Sequence, residues 1–146
     1  MIVKDVSLGD EARQGLIQGI NIIADAVKTT LGARGRTVVI ESNEHIGGLT
    51  VTKDGVTVAN SITLQDAIQN MAVMMMKQAA SKTAGEAGDG TTTAIVLAQA
   101  IIHQAEKHLK DGMNVTEVLR TMQASIDDIV KLLDNMSQEV SDKMLV

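Results

Sequence analysis

The stretch Gly88-Asp89-Gly90-Thr91-Thr92-Thr93-Ala94 puts two glycines, a carboxylate and three hydroxyls directly ahead of an amphipathic segment. Glycine lets a backbone approach a ligand closely. A helix start presents unpaired N–H groups and the positive end of the helix dipole, which together favour an anion such as phosphate. Asp89 adds an oxygen ligand suited to Mg²⁺, and the hydroxyls of Thr91, Thr92 and Thr93 can reach phosphate oxygens. The chemistry that fits is the holding of a metal–nucleotide phosphate. A plainer reading stays open beside it, a helix N-cap with a flexible approach loop. The Gly-Lys-Ser/Thr ending of a Walker loop is absent, so a phosphate site here is of another design.

Two further segments could join this loop. In Thr52-Lys53-Asp54-Gly55 the Asp-Gly pair is a common hairpin-type turn signal. Alternatively, Lys53 partners a phosphate while Asp54 holds or orients a water near the metal. In Thr30-Leu31-Gly32-Ala33-Arg34-Gly35-Arg36 the glycine and the cations suit a helix C-cap that complements the dipole. The other reading is a tight turn whose backbone contacts a nucleotide. His103 and His108 are five apart, off the i,i+4 spacing of a ligand pair, and His45 sits in a polar loop. All three read as surface or packing residues. No Ser has a His–Asp partner pattern, so nucleophilic catalysis has no support.

The elements that would position these segments follow from hydrophobic spacing. Ile2 to Leu8 reads as a short strand, and Asp10 as the N-cap of the helix after it. Ala12, Leu16, Ile20, Ile23, Ala24, Val27 and Leu31 recur at helical spacing, with Gly32 placed as a C-terminal cap. Thr37 to Glu41 and Leu49 to Lys53 read as two strands of an antiparallel hairpin around a polar turn, Ser42 to Gly48. Asp54-Gly55 follows as a turn, then a short helical piece from Val56 to Ile62. Three longer helices come next, with stripes Leu64/Ala67/Ile68/Met71/Ala72/Met75/Ala79, then Ala94/Leu97/Ala98/Ile101/Ile102/Ala105/Leu109, then Val115/Val118/Leu119/Met122/Ile126/Ile129/Val130/Leu133. Three glycines between Ala84 and Gly90 separate the first pair, and Gly112 ends the second. Asn114 with Glu117 resembles a capping box. The reading is a mainly α, multihelical domain with a small antiparallel hairpin and an N-terminal strand.

Composition narrows the function classes. A chain of 146 residues fits one domain with a real core. Cysteine is absent, so disulfides and thiolate metal sites are excluded. Phe, Tyr, Trp and Pro are absent too, so the core must be aliphatic and methionine-filled, and base stacking on aromatic rings is excluded. Met71, Met74, Met75 and Met76 read as adaptable core filling, the other reading being a sticky surface for clients or partners. A net charge of −5 argues against nucleic-acid or anionic-membrane binding. Polar residues interrupt every apolar run before bilayer length, and Met1 to Asp5 lacks a signal-peptide layout, so the expectation is a cytoplasmic protein.

Taken together and in order, the three segments resemble the group I chaperonins, the GroEL type. The resemblance is carried by Lys4-Asp5-Val6, by Ala24 to Gly32, by Thr50 to Val56, and by Ala87 to Ala94 with Val96 to Ile102; it runs from about Ile2 to Asn135. It implies the N-terminal half of an equatorial, ATP-binding domain over 1–135, with 136–146 as the start of an intermediate-domain segment or a disordered tail. By the same resemblance Thr30, Leu31 and Gly32 line the nucleotide and its phosphates, and Lys53 sits near the phosphates and a K⁺ ion. Asp54 lies at the γ-phosphate end as the catalytic carboxylate. Asp89 coordinates Mg²⁺, and Gly88, Gly90, Thr91, Thr92 and Thr93 wrap the phosphates of ATP. The hairpin resembles the element that pairs with a neighbouring subunit in a homo-oligomeric ring. Unfolded client polypeptides and a co-chaperonin are implied partners in the full-length context.

The family usually has Pro where this chain has Ala33, which leaves the turn less rigid. In the family a later segment supplies the adenine-side contacts and a further catalytic Asp. The chain alone is therefore expected to bind Mg-ATP weakly and to turn over little. The alternative is a truncated, non-enzymatic interaction module that self-associates or inserts into complete chaperonin rings.

Overall fold

The first helix, α1 (Gly9–Lys28), starts at an extended Leu8 that caps it without a side-chain bond. Asp10, expected as the cap, instead sits in the first turn, where its carboxylate complements the dipole and pairs with Arg13 at 3.5 Å. The computed structural model describes residues 7–41 and 48–138. The expected N-terminal strand therefore lies outside the described residues except for Ser7 and Leu8, which are not in a strand. The turn expected at Ser42 to Gly48 also lies outside them, apart from Gly48.

Strands β1 (Val38–Glu41) and β2 (Leu49–Thr52) form the expected antiparallel hairpin, with Val39 opposite Val51 and Val38 opposite Thr52. One face turns Val38 and Ile40 toward the core, while Val39, Leu49 and Val51 on the other are exposed. Helices α2 (Gly55–Ser61), α3 (Ala67–Ala87), α4 (Thr91–Lys110) and α5 (Val115–Met136) follow. Asp54-Gly55 is thus the cap and first residue of α2, not a separate turn. Helix α3 runs through Gly85 to a left-handed Gly88, later than the break expected at Ala84. A single interior glycine costs a helix only about 1 kcal/mol, too little to stop it.

The chain divides into two compact units, Met1–Ile102 and His103–Val146. In the first, α1 lies against α3 and α2, and α2 against β1. The α1–α3 approach is close because Gly15 and Gly19 present no side chain there. A Cβ on Gly19 would strike the Gln69 carbonyl, and one on Gly15 would come within 2.8 Å of Ile68 Cγ2. Ile23, Val27, Val73 and Ile95 are fully enclosed, with Ile20, Ala24, Val58, Ala59, Ala72, Met76 and Ala80 around them. Among the described residues Thr91 and Gln99, both of α4, are the buried polar side chains; Gln99 reaches across to α1. Its amide donates to Asn21 Oδ1 at 2.9 Å and Asp25 Oδ1 at 3.1 Å, both on α1.

The stripes expected for α3 and α4 are each rotated from the buried ones. Met71 and Met75 are exposed while Val73 and Met76 are buried, and Leu97 and Ile101 are exposed while Ile95 and Gln99 are buried. Of the methionine cluster only Met76 is in the core; Met71, Met74 and Met75 lie on the surface, so core filling describes one of the four. In the second unit Asn114 caps α5, accepting from Thr116 N at 2.8 Å. Val118 is buried, but Leu119, Ile126, Ile129, Val130 and Leu133 of the expected stripe are 48–60% exposed. No helix among the described residues is long and apolar enough to cross a membrane.

Candidate functional site

The loop between α3 and α4 is built from two left-handed glycines around one aspartate. Gly88 (φ 76°) closes α3 by donating to the Ala84 carbonyl at 2.8 Å, and Gly90 (φ 87°) turns the chain into α4. Only glycine adopts this backbone without strain. Exposed Asp89 stands between them, its Oδ1 accepting from Gly90 N at 2.6 Å. The α4 ladder begins with Ala94 N donating to Gly90 O at 2.8 Å. The amides of Thr91, Thr92 and Thr93 therefore belong to the first turn, where a helix offers them no acceptor. Thr91 is buried, Thr92 half-buried and Thr93 exposed.

The end of α1 forms the second wall. Thr29 and Thr30 fold their hydroxyls back onto the Ala26 and Val27 carbonyls at 2.7 and 2.8 Å. The chain then closes on itself: Gly35 N donates to Gly32 O at 2.9 Å and Arg36 N to Thr29 O at 2.7 Å. Gly32 takes φ 78°, as a capping glycine would, but three residues beyond the actual C-cap, Thr29. Leu31 lies past the helix end and is exposed, so it is not part of the α1 stripe. Lys28, Arg34 and Arg36 give this turn an exposed cationic rim.

The third wall is the β2–α2 junction. Asp54 is the N-cap of α2; its carboxylate accepts from Val56 N at 3.3 Å, Thr57 N at 2.9 Å and the Thr57 hydroxyl at 2.6 Å. The Thr57 hydroxyl first, then the Thr57 amide and more weakly that of Val56, hold the Asp54 carboxyl below its ordinary value, against a small opposing effect of burial. Asp54 is thus ionised at neutral pH and fixed in direction. Its own amide donates to Thr52 Oγ1 at 3.0 Å. Lys53 is exposed beside it.

These walls meet at Gly55. A Cβ there would fall on Thr92 Oγ1 and lie 3.1 Å from Thr30 Oγ1. Gly55 of one sequence segment therefore lies against Thr30 and Thr92 of the other two. Leu31 and Gly32 follow Thr30 directly, Lys53 and Asp54 precede Gly55 directly, and Asp89 lies three residues before Thr92 in the adjoining loop. Thr57, which holds the Asp54 carboxylate, is a residue of this junction that the sequence reading did not single out. The signal was there, since Asp-x-x-Thr has the spacing of an N-cap and its third helical residue.

Among the described residues no group of three or more His, Cys, Asp or Glu gathers to hold a metal. Mg²⁺ does not demand one, because it binds through one or two carboxylates together with substrate phosphates and water. Asp89, exposed at the mouth of a glycine loop, fits that mode. His103 and His108 are exposed, and His45 lies outside the described residues.

The TCP-1/cpn60 chaperonin family model matches residues 23–146. Among solved structures the chain is similar to the chaperonin gp146 from the bacteriophage EL 2 (Pseudomonas aeruginosa), crystallised in the presence of ATP-BeFx, with TM-score 0.73 and 31% sequence identity. The match covers 91% of this chain and 23% of that one, so the chain spans under a quarter of its relative's length.

Proposed function

We propose, from the premise that this chain belongs to the TCP-1/cpn60 chaperonin family, that it supplies the Mg-ATP phosphate-binding half of the equatorial domain of an ATP-dependent protein-folding machine. Its helices and two-stranded hairpin have a chaperonin equatorial-domain-like fold. The observation that carries the functional reading is the contact of Gly55 with Thr30 and Thr92, which joins three phosphate-type segments at one point.

In this reading Gly88, Gly90 and the first-turn amides of Thr91, Thr92 and Thr93 wrap the phosphates. Thr30, Leu31 and Gly32 line the nucleotide from the other side. Lys53 partners a phosphate and lies near a K⁺ ion. Asp89 holds Mg²⁺, which when bound neutralises charge on the phosphate oxygens. Asp54, ionised and aimed by Thr57, orients the attacking water and accepts its hydrogen bond. The half-domain is residues 1–135, with 136–146 as the start of an intermediate-domain segment or a tail. Clients, a co-chaperonin and a cytoplasmic homo-oligomeric ring belong to the whole assembly. The hairpin is a sheet of two strands, so its strand edges suit pairing with a neighbouring subunit, and its exposed face, Val39, Leu49 and Val51, suits packing there.

Calorimetric titration of Mg-ATP in potassium buffer, with a phosphate-release assay, tests the reading. Asp89→Ala should weaken Mg-ATP binding, and Asp54→Asn, which keeps a capping oxygen for α2, should largely spare binding while abolishing whatever turnover exists. Turnover that survives Asp54→Asn unchanged would sink the catalytic assignment. A second reading, the non-enzymatic module that self-associates or inserts into complete rings, is favoured by the exposed apolar residues Met71, Met74 and Met75 of α3 and Leu119, Ile126 and Leu133 of α5. Sedimentation that shows a monomer with no affinity for a complete ring counts against it.

A further inference from the structure

Helix α2 is held at both ends, and the two fastenings differ in kind. Its start is the Asp54 cap and the Gly55 contact with Thr30 and Thr92. At its far end, Lys77 from the middle of α3 donates through Nζ to the Asn60 carbonyl at 2.9 Å and to the Ile62 carbonyl at 2.7 Å. Those carbonyls are at the helix C-terminus, where backbone acceptors lack partners and the dipole is negative. A lysine ordinarily runs its stem along the surface and leaves its ammonium in water. The Lys77 ammonium instead is spent on the backbone of another helix, and burial lowers its pKa.

Between these ends α2 is seven residues, about 10 Å, of small apolar contact. Val58 and Ala59 are buried, and the other face, with Val56, Thr57, Asn60 and Ser61, is exposed. Such contacts are non-directional and resist sliding along the helix axis only weakly. The Lys77 bonds are directional. They tie the last turn and C-cap of α2 directly to α3; two residues further on, outside the helix, Leu64 N donates to Asn70 Oδ1 of α3 at 3.0 Å.

We infer that Lys77 is a positioning residue for the phosphate site: by pinning the far end of α2 it sets where Asp54 and Gly55 stand against Thr92 and Thr30. The inference rests on the Mg-ATP reading above and deepens it, because it adds a residue on a different element that touches no ligand.

The experiment compares wild type, Lys77→Met and Lys77→Arg, all well below their unfolding temperatures. Two readouts are taken, the Mg-ATP dissociation constant by calorimetry and residue-resolved amide exchange. Lys77→Met keeps the stem and removes the donors. It should raise the dissociation constant about tenfold, the scale of one charge-assisted hydrogen bond. It should also speed exchange at Val56 and Thr57, the amides that bind Asp54, while leaving Ala94 of α4 unchanged. Lys77→Arg restores donors and should return both readouts most of the way to wild type. A merely structural lysine would move the amides of all elements together and leave nucleotide affinity of the folded fraction alone. Lys77→Met with wild-type affinity and wild-type Val56 and Thr57 exchange overturns the inference and leaves the site reading standing. Wild type that does not bind Mg-ATP overturns the site reading; the exchange pattern then still decides whether Lys77 controls the Asp54 end of α2.

Discussion

Gly55→Ala is the sharpest perturbation of the three-segment junction. Gly55 does not have positive φ, so the backbone tolerates alanine and the cost is steric alone. The added methyl would fall on Thr92 Oγ1, 3.2 Å from Thr92 Cβ and 3.1 Å from Thr30 Oγ1. Relief requires Thr92 to retreat by on the order of 1 Å against a packed α4, an overpacking that costs about 1–3 kcal/mol. Replacing a helical glycine returns up to about 1 kcal/mol, less at a first position. The net loss is about 1–2 kcal/mol, a fall in Tm of about 3–8 °C for a chain of this size. Far-UV circular dichroism during heating reads it. Thr92→Ala removes the colliding oxygen, so the double variant should recover about 1 kcal/mol relative to additivity. Gly85→Ala is the control, since nothing lies within 4 Å of its added methyl, and it should stabilise by about 0.5–1 kcal/mol. If Gly55→Ala stabilises as Gly85→Ala does, or Thr92→Ala fails to couple with it, the junction is not as described.

Acid should expose the Asp54 cap. Its folded pKa lies below the usual 3.8, so its contribution is present above the unfolded value and is lost as pH falls through the folded one. Wild type should lose more stability between pH 5 and pH 2.5 than Asp54→Asn, and parallel curves would refute this. Gly19→Ala drives a methyl into the Gln69 carbonyl, a backbone atom that cannot swing aside, and should cost about 3 kcal/mol in urea unfolding. Ile23→Ala empties the fully enclosed centre and should cost about 2–5 kcal/mol by the same assay. Leu132→Lys on the exposed flank of α5 should stay within about 0.5 kcal/mol of wild type.

The hairpin, the long helices and the loops of the candidate site were legible as local structure because their signals are local: β-branched runs, punctuating glycines, an aspartate followed by a helix. The buried faces of α3 and α4 were not. Residues 71–76 are apolar without interruption, so periodicity cannot choose a face there; the choice falls to Gly15 and Gly19, which sit on another helix. On α4 the inward face includes Thr91 and Gln99, polar residues that a hydrophobic stripe leaves out. On α5 the stripe is real in the sequence, yet most of it is exposed, because spacing states which residues share a face and not what covers it. Within the site, Asp54 and Thr57 are neighbours through capping and could be paired from sequence. Gly55 against Thr92 joins segments 37 residues apart in the numbering and needed the fold.

Gln99 has a consequence for how α4 is indexed. Oily surfaces on two helices can engage one turn out of step, about 5.4 Å, at little expense, since one methyl group is much like the next. An amide pinned between Asn21 and Asp25 is not interchangeable. A shifted α4 would strand it in the interior at about 1–3 kcal/mol. Gln99 and Thr92 are seven residues apart, two turns along one side of the same rod. The clasp on α1 therefore works like the detent of a sliding scale: it selects one setting of α4, and that setting brings Thr92 to Gly55. Leucine in its place would give an equally greasy contact that no longer distinguishes the correct setting from its neighbours.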